Sequence, residues 1–139
     1  MGQRILILAL VLSLSLNLSE SETFKREFRL EKPSDWAYLL EALIHVESEG
    51  NRFAVGASND VGILQITPIY VREVNRILKE ERYDLSDRTN IYKSLEMFEV
   101  YQEHHNPDKD ILTAIKLHNP GAGKWYTEKV MNKFKKLKI

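Results

Sequence analysis

Residues 34–49 read SDWAYLLEALIHVESE. Trp36, Leu39, Leu40, Leu43 and Ile44 recur at intervals of three and four, the spacing of one face of an α-helix. Gly50 follows almost at once, which predicts that the helix stops there. Glu47 lies four after Leu43 and three after Ile44, so it falls on the apolar stripe, while Glu41, His45 and Ser48 point elsewhere. A carboxyl held among apolar neighbours resists ionisation, because leaving water costs the charged form more than the neutral one. The negative end of the helix dipole acts in the same direction. Such a group can keep its proton near neutrality and serve as a general acid. A last-turn Glu that reaches out to solvent is the competing reading of the same spacing.

Outward from this helix the pattern stays helical. Gly50–Ile66 is irregular, with turn-forming residues and a short apolar run of Val61, Ile63, Leu64 and Ile66, so a small hairpin or an irregular excursion is expected. Thr67-Pro68 opens a second helix, with Thr67 as N-cap and an apolar stripe of Val71, Val74, Ile77 and Leu78. Asp87 or Thr89 is the expected cap of a third, whose shared face would carry Ile91, Leu95, Phe98 and Gln102 or Tyr101. A fourth follows Pro107-Asp108, with Ile111, Leu112 and Ile115 inward and Pro120-Gly121 at its end. Trp125–Leu137 reads as a last helix, with Tyr126, Val130 and Phe134 on one side and lysines on the other. These segments predict a mostly α fold, a bundle with one excursion after the first helix.

The motifs along this framework have a recognisable order. Glu47-Ser48 is followed by Asn51, by Ala54-Val55, by Gly62-Ile63-Leu64-Gln65, and much later by Leu117-His118-Asn119-Pro120-Gly121. This series resembles the lytic transglycosylases of the soluble type, a branch of the lysozyme-like superfamily. Asp87-Arg88-Thr89-Asn90-Ile91 and Tyr126 with Lys129-Val130 resemble two further stretches of the family, so the likeness spans residues 36–134. His118 stands where the family usually has Tyr, Leu64 where it has Met, and Ser94 where Gly is often found. The resemblance implies a lysozyme-like fold and cleavage of peptidoglycan glycan strands between N-acetylmuramic acid and N-acetylglucosamine. It implies that Glu47 acts first as acid and then as base. The muramyl C6 hydroxyl then closes onto C1 and leaves a 1,6-anhydro end.

Several residues join Glu47 as candidates for substrate contact. Ser48 could bond the Glu47 carboxyl or a sugar acetamide, or its own helix backbone. Gln65 lies in an apolar run, so its amide needs a partner, either a sugar hydroxyl or nearby backbone. Gly62 would permit close approach of backbone to ligand, or serve a plain turn. Asn119 caps the fourth helix or braces the site. Tyr126 lines the cleft or packs in the core. His118, which the resemblance places beside the acid, is expected to become cationic near pH 6.5 and so to favour ionised Glu47. Cleavage of a glycosidic bond commonly uses two carboxyl groups. Asp60, the nearest second one with Glu49, sits in the turn-like Ser58-Asn59-Asp60 and reads as a loop residue. His104 and His105 are adjacent and lack the i, i+3 or i+4 spacing of helical metal ligands. No metal and no cofactor is expected.

The chain has 139 residues, no cysteine and a formal net charge of zero. That length supports one modest core. A balanced charge argues against nucleic acid as the main partner, which calls for a cationic excess. The lack of cysteine excludes disulfides and thiolate zinc sites. Arg4 ahead of the apolar run Ile5–Leu18 has the form of a signal peptide, expected over residues 1–21, with an uncleaved anchor as the alternative. Residues 22–34 read as a linker and 35–139 as the catalytic domain. An exported, monomeric enzyme of the periplasm, the cell envelope or the extracellular space, with glycan strands and cell-envelope proteins as partners, completes the expectation. A lysozyme-like hydrolase or a non-catalytic wall-binding protein are the competing functions.

Overall fold

The computed structural model describes residues 32–139, so the expected signal segment and most of the linker lie outside the described residues. Among the described residues the chain forms five α-helices: α1 Asp35–Ser48, α2 Pro68–Leu78, α3 Ile91–His105, α4 Ile111–His118 and α5 Gly123–Leu137. A 3-10 helix, Leu85–Thr89, leads into α3. The excursion after α1 is irregular. Two isolated antiparallel bridges, Val55 with Val61 and Val61 with Ile66, take the place of a hairpin.

Local chemistry sets most of the boundaries. Ser34 caps α1 by accepting the Ala37 N–H, and Thr67 caps α2 through the Tyr70 N–H with Pro68 in the first turn. α1 ends one residue earlier than glycine chemistry suggests, because Glu49 itself takes the left-handed conformation, φ 53°, ahead of Gly50. The cap of α3 is Asn90, not Asp87 or Thr89: those two belong to the 3-10 helix, which Asp84 and Asp87 close with a reciprocal capping box. Asp110 caps α4, and α5 starts at Gly123, two residues before Trp125.

The core is continuous across all five helices. Leu39, Ala42 and Leu43 of α1 meet Val71 and Val74 of α2, Met97 and Phe98 of α3, Ala114 and Ile115 of α4, and Tyr126, Val130 and Phe134 of α5. Leu64 and Ile66 from the excursion are fully enclosed as well. Two faces are rotated from the sequence expectation. On α3 the buried residues are Ser94, Met97, Phe98 and Gln102, while Ile91 is exposed. Ser94 can turn inward because its hydroxyl donates to the Arg88 carbonyl at 3.0 Å. On α4 Leu112 is exposed, and Ala114 takes the inward place beside Ile115.

Arg88 ties the excursion to this core. Its Nη1 donates to the carbonyls of Asn59 and Ile66, at 2.5 and 3.1 Å, and its Nε donates to Leu85 at 2.8 Å. The Arg88 carbonyl lies over Gly62, where a Cβ would approach it to 2.0 Å at φ +89°. Gly62 is therefore needed for contact between two backbone segments. The close approach expected there is to the 3-10 helix rather than to a ligand.

Candidate active site

Glu47 occupies the last turn of α1, and its side chain is only 11% exposed. Burial pushes its carboxyl above the usual range, and the nearby Asp60 carboxylate adds to the rise. The Tyr126 hydroxyl and, more weakly, the Lys129 ammonium act the other way. The Tyr126 hydroxyl donates to Glu47 Oε1. Burial and the adjacent Glu47 carboxylate push the Tyr126 phenol far up, so it remains a donor. Val130 and Phe134, one and two turns on, anchor the same face of α5 in the core and hold Tyr126 in register.

His118 closes the other side. Its Nε2 lies 3.6 Å from Glu47 Oε1 and donates to the Leu64 carbonyl at 2.8 Å. The imidazole is almost wholly enclosed, at 3% exposure, between the edges of Tyr70 and Phe98. Enclosure lowers its pKa to about 4, against which the bond to Leu64 is the smaller effect. The expectation of a cationic His118 near pH 6.5 is thus overturned. An apolar aromatic cage with a single carbonyl partner cannot hold imidazolium, and the contact with Glu47 is no ion pair near neutrality.

Glu47 and His118 border a cleft of about 540 Å³. Glu47, Gln65, His118 and Asn119 line it, together with Asp60, Tyr70, Tyr101 and Glu73. Gln65 has φ 48°, and its amide nitrogen donates to the carbonyls of Ala54 and Gly62, at 3.1 and 3.0 Å. Its donors are thereby spent on the excursion, and its amide oxygen is the atom left for a ligand. Asn119 is the C-cap of α4, its N–H bonded to the Ile115 carbonyl. Ser48, Gly62 and Tyr126 stand behind the lining. The Ser48 hydroxyl faces the carbonyls of Ile44 and Ile63, at 3.2 and 2.9 Å, and accepts the Gly50 N–H at 3.2 Å. It clips the end of α1 to the excursion.

Three participants escape sequence reasoning. Asp60 reads as a turn residue, and its place on the cleft follows only from the fold of the excursion. Arg88 carried a motif likeness but no sign that its side chain is buried. Tyr70 stacks on Tyr101 with ring centroids 4.4 Å apart and forms one wall. Its position, between the α2 cap and the apolar stripe, was the one available signal. His105 lies outside the lining, its Nε2 3.3 Å from Glu73. The exposed guanidinium of Arg76 is the main group holding the Glu73 carboxyl low, at about 2.

The described residues form a mostly helical, lysozyme-like domain with a largely enclosed carboxyl on the wall of a cleft. The family model for the transglycosylase SLT domain matches residues 26–138. The chain belongs to that family, the lysozyme-like lytic transglycosylase domain, which acts on peptidoglycan glycan strands. Comparison with curated proteins and with solved structures gave no match.

Proposed function

We propose that the protein is an exported peptidoglycan lytic transglycosylase in which Glu47 is both acid and base. The observation that carries this reading is the Glu47 carboxyl itself, whose enclosure tightens its hold on a proton while it stays on the wall of the cleft. Glu47 gives its proton to the oxygen that links N-acetylmuramic acid to N-acetylglucosamine, and the C1–O bond breaks toward that oxygen. The resulting carboxylate takes the proton of the muramyl C6 hydroxyl, whose oxygen bonds to C1. Glu47 ends protonated, ready for another turn. Tyr126 holds the carboxyl in place by donating to Oε1 in its ionised stage. Gln65, His118 and Asn119 border the sugar, and Ser48 and Gly62 fix the backbone beneath it.

A hydrolase is the second reading, favoured by Asp60 lying on the same cleft as Glu47. Mass analysis of fragments from purified sacculi separates the two. Ends of 1,6-anhydromuramic acid, lighter by one water than the hydrolytic product, are expected. Reducing muramic acid as the primary end would replace the transglycosylase with a lysozyme-like enzyme. Export rests on the sequence of residues 1–21 and is tested by fractionation of cells that carry the full chain.

A further inference from the structure

Asp60 is built into the site more firmly than a loop residue requires. The Ser58 N–H donates to its Oδ1 at 3.0 Å, and the Gly56 N–H donates to its carbonyl at 2.8 Å. Gly56 leaves room for the carboxylate, since a Cβ there would stand 2.0 Å from Oδ2. Its neighbour Val61 is bridged to both Val55 and Ile66, and the Asn59 carbonyl is held by Arg88. The Asp60 side chain is therefore anchored on both flanks where it borders the cleft with Glu47. An Asx-type turn accounts for the bond to Ser58. It gives no reason for the carboxylate to border the cleft that holds the acid.

The charged and titratable groups around Glu47 divide by element. Tyr126 and Lys129 of α5 favour its ionised form, Asp60 of the excursion favours its protonated form, and His118 of α4 is neutral near pH 7. We propose that Asp60 is an electrostatic partner of Glu47, a negative charge on the same cleft that stabilises positive charge on the sugar as the glycosidic bond breaks. As the C1–O bond breaks, its electron pair goes to the leaving oxygen with the proton of Glu47, and C1 becomes electron-poor. Asp60 forms no bond in this step and acts through its field in a partly enclosed site. Once Glu47 is a carboxylate, the same negative charge strengthens it as a base toward the attacking hydroxyl. One fixed charge thus assists both halves of the reaction. The inference rests on the glycan-cleavage reading but not on whether the C6 hydroxyl or water attacks.

Asp60→Asn removes the charge and keeps an acceptor for the Ser58 N–H. On purified peptidoglycan kcat should fall about a hundredfold, the scale of losing one preorganised electrostatic group, with KM little changed. In a carbon NMR titration, Glu47 should lose its proton at lower pH than in the wild type. An unchanged kcat, or a reduced kcat with an unmoved Glu47 titration, overturns the proposal. Should Asp60→Asn fail to fold, Asp60→Ser, smaller and also an acceptor, is read by the same two measurements. A wild type that cleaves no glycan removes the underlying reading instead, an outcome distinct from an active wild type indifferent to Asp60.

Discussion

At the scale of single residues, the two groups nearest the chemistry titrate in opposite directions from their ordinary values. Burial raises Glu47, so the folded state holds the extra proton more tightly than the unfolded chain does. Its contribution to stability is present in acid, is lost as pH rises through the unfolded value, and levels off above the folded one. Glu47→Gln does not titrate and can still accept from Tyr126. It should fold with stability equal to or above that of the wild type near neutrality, an advantage that shrinks in acid. Turnover should nearly vanish while glycan binding persists, since an amide cannot pass the proton. Thermal melts across pH, paired with fragment release from sacculi, check both halves. A folded, fully active Glu47→Gln would end the assignment of Glu47.

His118 carries the opposite sign. Its folded pKa, about 4, lies below the ordinary 6.5, so the folded state binds the proton less tightly than the unfolded chain. Stability is intact above 6.5 and is lost as pH falls toward 4, by about 3 kcal/mol at most. His118→Gln keeps a donor for the Leu64 carbonyl and removes the titration. Compared in a Glu47→Gln background, where the acid no longer contributes, the His118 protein should lose stability between pH 6.5 and 4. The His118→Gln partner should lose much less. Equal losses in the two would show that His118 is not enclosed as described.

At the scale of elements, the excursion does the positioning, and it was the least legible part of the chain. Helical periodicity found α1 and put Glu47 on its inner face, because the apolar spacing and the burial share one geometric cause. The α5 face of Tyr126, Val130 and Phe134 was legible for the same reason. Periodicity failed on α3, where the inward Ser94 depends on a bond to the Arg88 carbonyl that no hydrophobic pattern records. It was silent on residues 50–66, whose shape comes from backbone contacts with Arg88 and Gly62. Gly62→Ala tests that shape. A side chain there meets the Arg88 carbonyl as well as an unfavourable φ of +89°. The cost should be about 2–4 kcal/mol, larger than for an unobstructed glycine, and urea denaturation would measure it. A loss under about 1 kcal/mol, no more than the unfavourable φ alone would cost, would mean that the two segments are not in contact.

At the scale of the molecule, the acid depends on side chains far apart in sequence. Tyr126 lies 79 positions after Glu47 and reaches it because α1 and α5 pack along one another. Sequence spacing placed the inner faces of α1 and α5 but not which faces meet, so Tyr126 read as a cleft or a core aromatic and its hydroxyl bond to Glu47 was not legible. Tyr126 and Asp60 act on Glu47 in opposition, one favouring the carboxylate and the other the acid. Tyr126→Phe should therefore move the Glu47 titration upward, opposite to Asp60→Asn, because the ionised form loses its donor. The bond is worth most when Glu47 is charged. The variant should lose about 1.5–3 kcal/mol above the Glu47 titration and less below it. Melting curves at two pH values on either side of that titration, together with carbon NMR of Glu47, make the comparison. An equal loss at both would assign Tyr126 to packing alone. A downward move of the titration would reverse the sign argued for the hydroxyl, and with it the balance that sets the acid's proton.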